Sequence, residues 1–174
     1  MNLKKLILAS TTALAFTFGA ASHAQTSLAN CVATPITTFD GNIVDAALAT
    51  PELSVLVDAI LAAGLQDALA SAENITVYAP TNDAFAKIPA DITAAILADV
   101  DVLTTVLTYH VSPGAQDPRV FVPAVRRDTL SGQSVYFFRY GGWARVNNAA
   151  VNCAGIQTDN GLVWLIESVL LPQF

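Results

Sequence analysis

Residues able to do covalent or acid–base chemistry are sparse in this 174-residue chain. It has two histidines, His23 and His110, and two cysteines, Cys31 and Cys153, beside 14 acidic residues. His23 falls in a leader-like segment, which leaves His110 alone in the remainder. A Ser-His-Asp arrangement needs a nucleophile beside His110, and no Gly-x-Ser-x-Gly elbow is present. A Cys–His pair would need Cys153 as a free thiol. One histidine and two cysteines do not complete a zinc site. Asp99-Val100-Asp101 has the ligand type for calcium, yet acids at a helix junction are more often caps. No phosphate-binding loop occurs. These residues point away from an enzyme and imply no metal and no cofactor.

Binding chemistry has better material. Residues 134–140, Gly141-Gly142 and residues 143–147 read as a hairpin, because paired glycines suit the positive φ angles of a two-residue turn. Tyr140 then opposes Trp143, Phe138 opposes Arg145 and Tyr136 opposes Asn147. Alternation puts Tyr136, Phe138, Tyr140, Trp143 and Arg145 on one face. Val135, Phe137, Ala144 and Val146 take the other, which is the better core face. An aromatic and arginine face can stack on sugar rings or on a protein partner. The alternative is that the 112–130 connection, with Phe121, Val122 and Val125, covers it as a satellite core. Arg126-Arg127, with Arg119, Arg139 and Arg145, makes this half locally basic. That is either solvated loop charge or steering towards an anionic polymer.

The elements that must position these residues divide in two. The first half reads as helical and acidic. Leu53, Leu56, Val57, Ile60 and Leu61 recur at helical spacing, with Pro51 suited to the first turn and Gly64 to the stop. Residues 74–79 are short and β-branched and predict a strand. Thr81 or Asn82 then caps a helix with Asp83 in its first turn. A further helix starts near Pro89 and carries Ile92 and Ile96. Another runs from Asp101 with Leu103, Val106 and Leu107. The second half reads as stranded. Asn160-Gly161 predicts a turn before the apolar run 162–171, which reads as a central strand covered on both faces.

The two ends bound the compartment. Lys4 and Lys5, an apolar stretch from Leu6 to about Ala20, and Ser22-His23-Ala24 follow the three-part order of a secretion signal over residues 1–24. That stretch is short and Ser/Thr-rich for a membrane span. Its removal leaves six basic residues against 14 acidic ones, a net charge of −8. So anionic a chain is a poor partner for nucleic acid. About 150 residues remain, enough for one core. In an oxidising compartment Cys31 and Cys153 read as a disulfide, with two free thiols as the rival. Asn74-Ile75-Thr76 has the form of a glycosylation sequon, but it lies in an expected strand behind a bacterial-looking signal, so no glycan is expected.

Three segments together resemble the fasciclin-like domain family. Residues 76–85, Thr-Val-Tyr-Ala-Pro-Thr-Asn-Asp-Ala-Phe, are similar to its strand-to-helix signature. Residues 107–111, Leu-Thr-Tyr-His-Val, are similar to its Tyr-His element. Residues 160–172, Asn-Gly-Leu-Val-Trp-Leu-Ile-Glu-Ser-Val-Leu-Leu-Pro, are similar to its C-terminal signature, and residues 146–149 fit the strand before it. The resemblance implies an α+β fold with N-terminal helices packed on a wedge-shaped β-sandwich. It also implies a binding module acting in adhesion at a cell surface or matrix. The organisation expected is a signal (1–24), a segment with Cys31 (25–37) and a fasciclin-like domain (38–174).

The resemblance gives Tyr109 and His110 two readings. One is a partner-binding surface, the role credited to the matching element in animal members. The other is structural, with His110 tying its helix end to the Pro80-Thr81-Asn82 turn by hydrogen bonds, since a buried polar group must be paired. Animal members carry an Asp-Ile pair read by integrins where this chain has Gly155-Ile156, so that element is missing its aspartate. The function expected is an exported, monomeric, non-enzymatic module that binds a cell-surface or matrix protein, or a polysaccharide. It would act in the periplasm or outside the cell, with no stable membrane insertion. The second reading is a carbohydrate-binding protein using the hairpin face, and the third is an enzyme.

Overall fold

The computed structural model describes residues 28–120 and 124–173. The leader-like segment 1–24, and Phe121 and Val122 of the expected satellite cover, lie outside these residues. The helices are α1 (Leu28–Ala33), α2 (Ile43–Leu48), α3 (Ser54–Ala62), α4 (Gln66–Ser71), α5 (Asn82–Ala86), α6 (Ala90–Ala98) and α7 (Val100–Tyr109). The strands are β1 (Thr37–Thr38), β2 (Ile75–Pro80), β3 (Val111–Pro113), β4 (Val125–Asp128), β5 (Ser134–Tyr140), β6 (Trp143–Val146), β7 (Ala149–Gln157) and β8 (Gly161–Ile166). A 3₁₀ turn, Pro51–Leu53, leads into α3 with Pro51 in its first turn.

Local chemistry starts the helices. Asn42 and Asp45 form a capping box at α2. The Thr81 hydroxyl accepts from Ala84 N–H and caps α5. Asp99 caps α7 by accepting from the N–H groups of Asp101 and Val102, so the Asp99-Val100-Asp101 carboxylates serve a helix start. Asn82 has a different task. Its side chain accepts from Val55 N–H and donates to Pro51 O, which fixes the start of α3.

The strands run in the order β3-β2-β8-β7-β6-β5-β4, with β1 added beside β7. β2 and β8 pair in parallel at the centre, and the other neighbours on this path pair antiparallel. A register shift between Val151 and Gly155 interrupts the β7–β8 ladder. Alternate residues of β2 and β8 serve two cores. Ile75, Val77, Ala79 and Val163 meet Leu56, Ile60, Leu103 and Leu107 from the helices. Tyr78, Leu162, Trp164 and Ile166 meet Val135, Phe137, Ala144 and Val146 from the hairpin side. The Tyr78 and Phe137 rings meet edge-on, 5.6 Å apart. Thus β2 is buried along its whole length, helices on one side and folded-back strands on the other. This is the α+β arrangement expected.

Two expectations change. The apolar run 162–171 is a strand only to Ile166. Beyond it Glu167 is exposed, while Val169 and Leu170 fold back into separate parts of the core. The 112–130 connection is not a plain extended loop. It holds β3 and β4, and buries Arg119 and Thr129. No helix among the described residues is long and apolar enough to cross a membrane.

Candidate functional site

The hairpin forms as its residues dictate. Gly141 and Gly142 take φ angles of 61° and 80°, the conformation a two-residue turn requires and glycine adopts without strain. Tyr140 pairs with Trp143, and Phe138 with Arg145. Val135, Phe137, Ala144 and Val146 are all fully buried. The outward face carries Tyr136, Phe138, Tyr140, Trp143 and Arg145 as expected. Tyr140 is 70% exposed and Tyr136 51%, while Phe138, Trp143 and Arg145 are half-buried. The Arg145 guanidinium lies 5.7 Å from the Tyr140 ring centre, within cation–π range, and donates to Asn148 O. β4 extends this face, with Arg126 opposite Tyr136. Val125, offered as part of a cover, pairs with Phe137 and so lies within the sheet.

His110 does not join that surface, and Tyr109 reaches it only at the floor of a cleft. Tyr109 is 6% exposed and His110 2%. The Tyr109 hydroxyl donates to Ser134 O and accepts from Asn147 Nδ2. Asn147 adopts φ 50° in the turn after β6, and its Oδ1 accepts from Tyr136 N–H. Tyr109 therefore lies beneath an open cleft of about 470 Å³ lined also by Arg126, Gln133, Ser134, Tyr136 and Leu171. It holds the floor of that cleft, and its polar atom is already engaged. The cleft brings Tyr109 and Tyr136 together, and leaves His110 out.

His110 ends α7 with its ring buried and hydrogen-bonded, to partners other than those expected. Its Nδ1 meets Val106 O at 2.7 Å, and Leu170 N–H donates to its Nε2 at 2.9 Å. The Nδ1–H tautomer satisfies both contacts. The ring thus ties the C-terminal segment to α7, and only its backbone carbonyl reaches β2, accepting from Tyr78 N–H. Burial holds the imidazole well below its usual range, at about 4, with the Val106 bond opposing in part.

Arg119 overturns its expected place among solvated charges. It is 3% exposed. Its Nη1 lies 2.8–3.0 Å from the carbonyl oxygens of Cys31, Thr34 and Cys153. Nε and Nη2 bind the Asp117 carboxylate, and the guanidinium carbon sits 4.5 Å from the Trp164 ring centre. A charge so buried is tolerated because every side of it is paired. Cys31 and Cys153 form the disulfide beside it. The sequence hint was Asp117-Pro118-Arg119, an acid two residues from the arginine in a proline-rich segment. Gly155 completes the group. A Cβ there would come within 2.6 Å of the Trp164 indole, so packing closes this position to any side chain, in keeping with the missing aspartate.

The Fasciclin domain profile matches residues 51–172, most of the chain. The chain belongs to the fasciclin domain family. Among curated relatives, it is 40% identical over 132 residues to the immunogenic protein MPB70 of Mycobacterium bovis, covering 73% of this chain and 67% of that one. It is 38% identical over 132 residues to protein sll1483 of Synechocystis, covering 75% and 73%. The cell surface glycolipoprotein MPB83 of Mycobacterium bovis is 35% identical over 135 residues, covering 75% and 60%. In fold, the chain is similar to a FAS1 domain pair from the insect cell adhesion molecule fasciclin I, with a TM-score of 0.55 at 20% identity over 68% of this chain and 45% of that one. The fasciclin signature thus coincides with β2 and the start of α5, the end of α7, and β8 with its continuation.

Proposed function

We propose that this fasciclin domain is an exported, monomeric interaction module without enzymatic activity, and that it meets its partner through the outer face of β4, β5 and β6. The partner is a protein of a cell surface or matrix. The observation that carries this reading is the hairpin's division of labour. One face fills the core, while the other leaves Tyr136 and Tyr140 largely exposed beside Arg126 and Arg145. Tyrosine and arginine are the residue types that dominate protein interfaces. The name of the relative MPB83 places that protein at a cell surface, which supports an extracytoplasmic site of action here. A second reading is favoured by the cleft. There the Tyr136 ring stands beside the polar groups of Ser134, Gln133 and Arg126, a combination that also suits a polysaccharide.

The test is the Tyr136→Ala/Tyr140→Ala double variant. Both rings are exposed, so its melting curve should stay close to the parent's. Its binding to intact cells of the source organism should weaken about ten-fold or more. A glycan array separates the two readings, because only the polysaccharide reading expects array binding that the same variant loses. Unchanged cell binding and an empty array would reject this face.

A further inference from the structure

A second cavity, of about 380 Å³, opens in the helical half and shares no lining residue with the hairpin cleft. Its walls are aliphatic and aromatic, including Ala59, Phe85, Ile96, Leu97, Leu103 and Val106. The helix that covers it, α6, is itself apolar in sequence, yet has no buried residue. α3 and α7 each bury four. Ile92 and Leu97 on α6 are 43% and 51% exposed, and Val55 on the facing wall is 39% exposed. Apolar surface held open beside a cavity is favourable to fill, at about 25 cal/mol per Å² removed from water. The space corresponds to roughly two benzene-sized groups, judged against an engineered cavity of about 150 Å³ that binds benzene.

Charge narrows the ligand. Among the described residues, Asp58, exposed at the edge of the cavity, is the one charged residue in the lining. Residues 40–110 hold ten acidic side chains and a single lysine, Lys87. That ammonium is engaged by Glu167 O. His110 lines the floor, but both its ring nitrogens are taken. The cavity therefore offers a carboxylate at an apolar wall, and no cation to meet an anionic head.

We infer that this cavity is a small-molecule site for a hydrophobic amine, a chain or ring system of about ten carbons whose ammonium meets Asp58. It is independent of the hairpin surface. The experiment compares decylamine, decanol and decanoate below their micelle concentrations by amide chemical-shift titration of the protein. The expected result is saturable shifts confined to α3, α5, α6 and α7, with decylamine about ten-fold or more tighter than decanoate and decanol between them. Asp58→Asn should shrink the amine's advantage to about three-fold or less. Ala62→Trp, at an exposed lining position, should fill the space and abolish the shifts. Should that variant fail to fold, Leu97→Trp at the other wall serves the same purpose. Decanoate binding as tightly as decylamine overturns the inference. So do shifts that map elsewhere, or amine binding that survives both Asp58→Asn and the cavity-filling tryptophan.

Discussion

Two buried side chains carry the clearest consequences at the scale of the residue. His110 stays neutral in the fold down to about pH 4, while an unfolded chain protonates it near its ordinary value of 6.5. The unfolded state therefore takes up a proton that the native state refuses. This contribution to stability is complete above pH 6.5 and is lost as the pH falls towards 4, by about 3 kcal/mol in all. Melts between pH 7.5 and 5 should show the decline before most carboxylates titrate. His110→Ala should flatten it, while lowering stability at pH 7.5 by about 2–4 kcal/mol through the orphaned Leu170 N–H and the space left. A parallel pH profile in parent and variant would contradict the assignment. Arg119→Met should cost about 2–4 kcal/mol in chemical denaturation, because it leaves the carbonyls of Cys31, Thr34 and Cys153 without their donor and takes the partner from the part-exposed Asp117 carboxylate.

Among the elements, the parallel pair β2–β8 is the least forgiving. Gly161 opens β8 opposite Ile75, and a Cβ there would overlap the Ile75 carbonyl. Gly161→Ala should destabilise by about 3 kcal/mol or more, since the obstacle is backbone and cannot swing aside. Loss of β-sheet circular dichroism at a lower urea concentration is the measurement. Asn160, the preceding residue, joins the pair to the helices. Its Oδ1 accepts from Ile43 N–H and its Nδ2 donates to the carbonyls of Leu69, Ala70 and Ala72. The hairpin tolerates far more, because its outward residues contribute little to the core.

For the molecule as a whole, the disulfide and Arg119 form one clamp. The bond closes a separation of 122 residues, worth about 5 kcal/mol on the chain-entropy account. It also places the Cys31 and Cys153 carbonyls against the guanidinium. Cys31→Ser/Cys153→Ser should lower the melting temperature sharply. In that background, Arg119→Met should cost less than in the parent, since groups sharing a network do not add. Strict additivity in the double-mutant cycle would show that the two act separately. Charge is divided too. Residues 40–110 are strongly acidic, and residues 111–174 carry five arginines against four acids. Binding through the hairpin face should therefore weaken with salt when the partner is anionic.

The amino-acid sequence determined much on its own. Two-residue alternation sorted Val135, Phe137, Ala144 and Val146 to the core face and Tyr136, Phe138, Tyr140, Trp143 and Arg145 to the other, because a strand's period leaves no other choice once Gly141-Gly142 sets the turn. Capping chemistry placed the starts of α5 and α7, and the three signatures pointed to the family. Tertiary structure alone decided what those residues meet. Arg119 reads as surface charge in any local window, and becomes an interior hub only where residues 31, 34, 117, 153 and 164 converge. His110 finds its second partner at Leu170, 60 residues away. The cavity under α6 has no local signature, because it is the space left where helices distant in sequence fail to close. Propensity and pattern act over a few residues, whereas burial, desolvation and voids arise from neighbours that only the folded chain assembles.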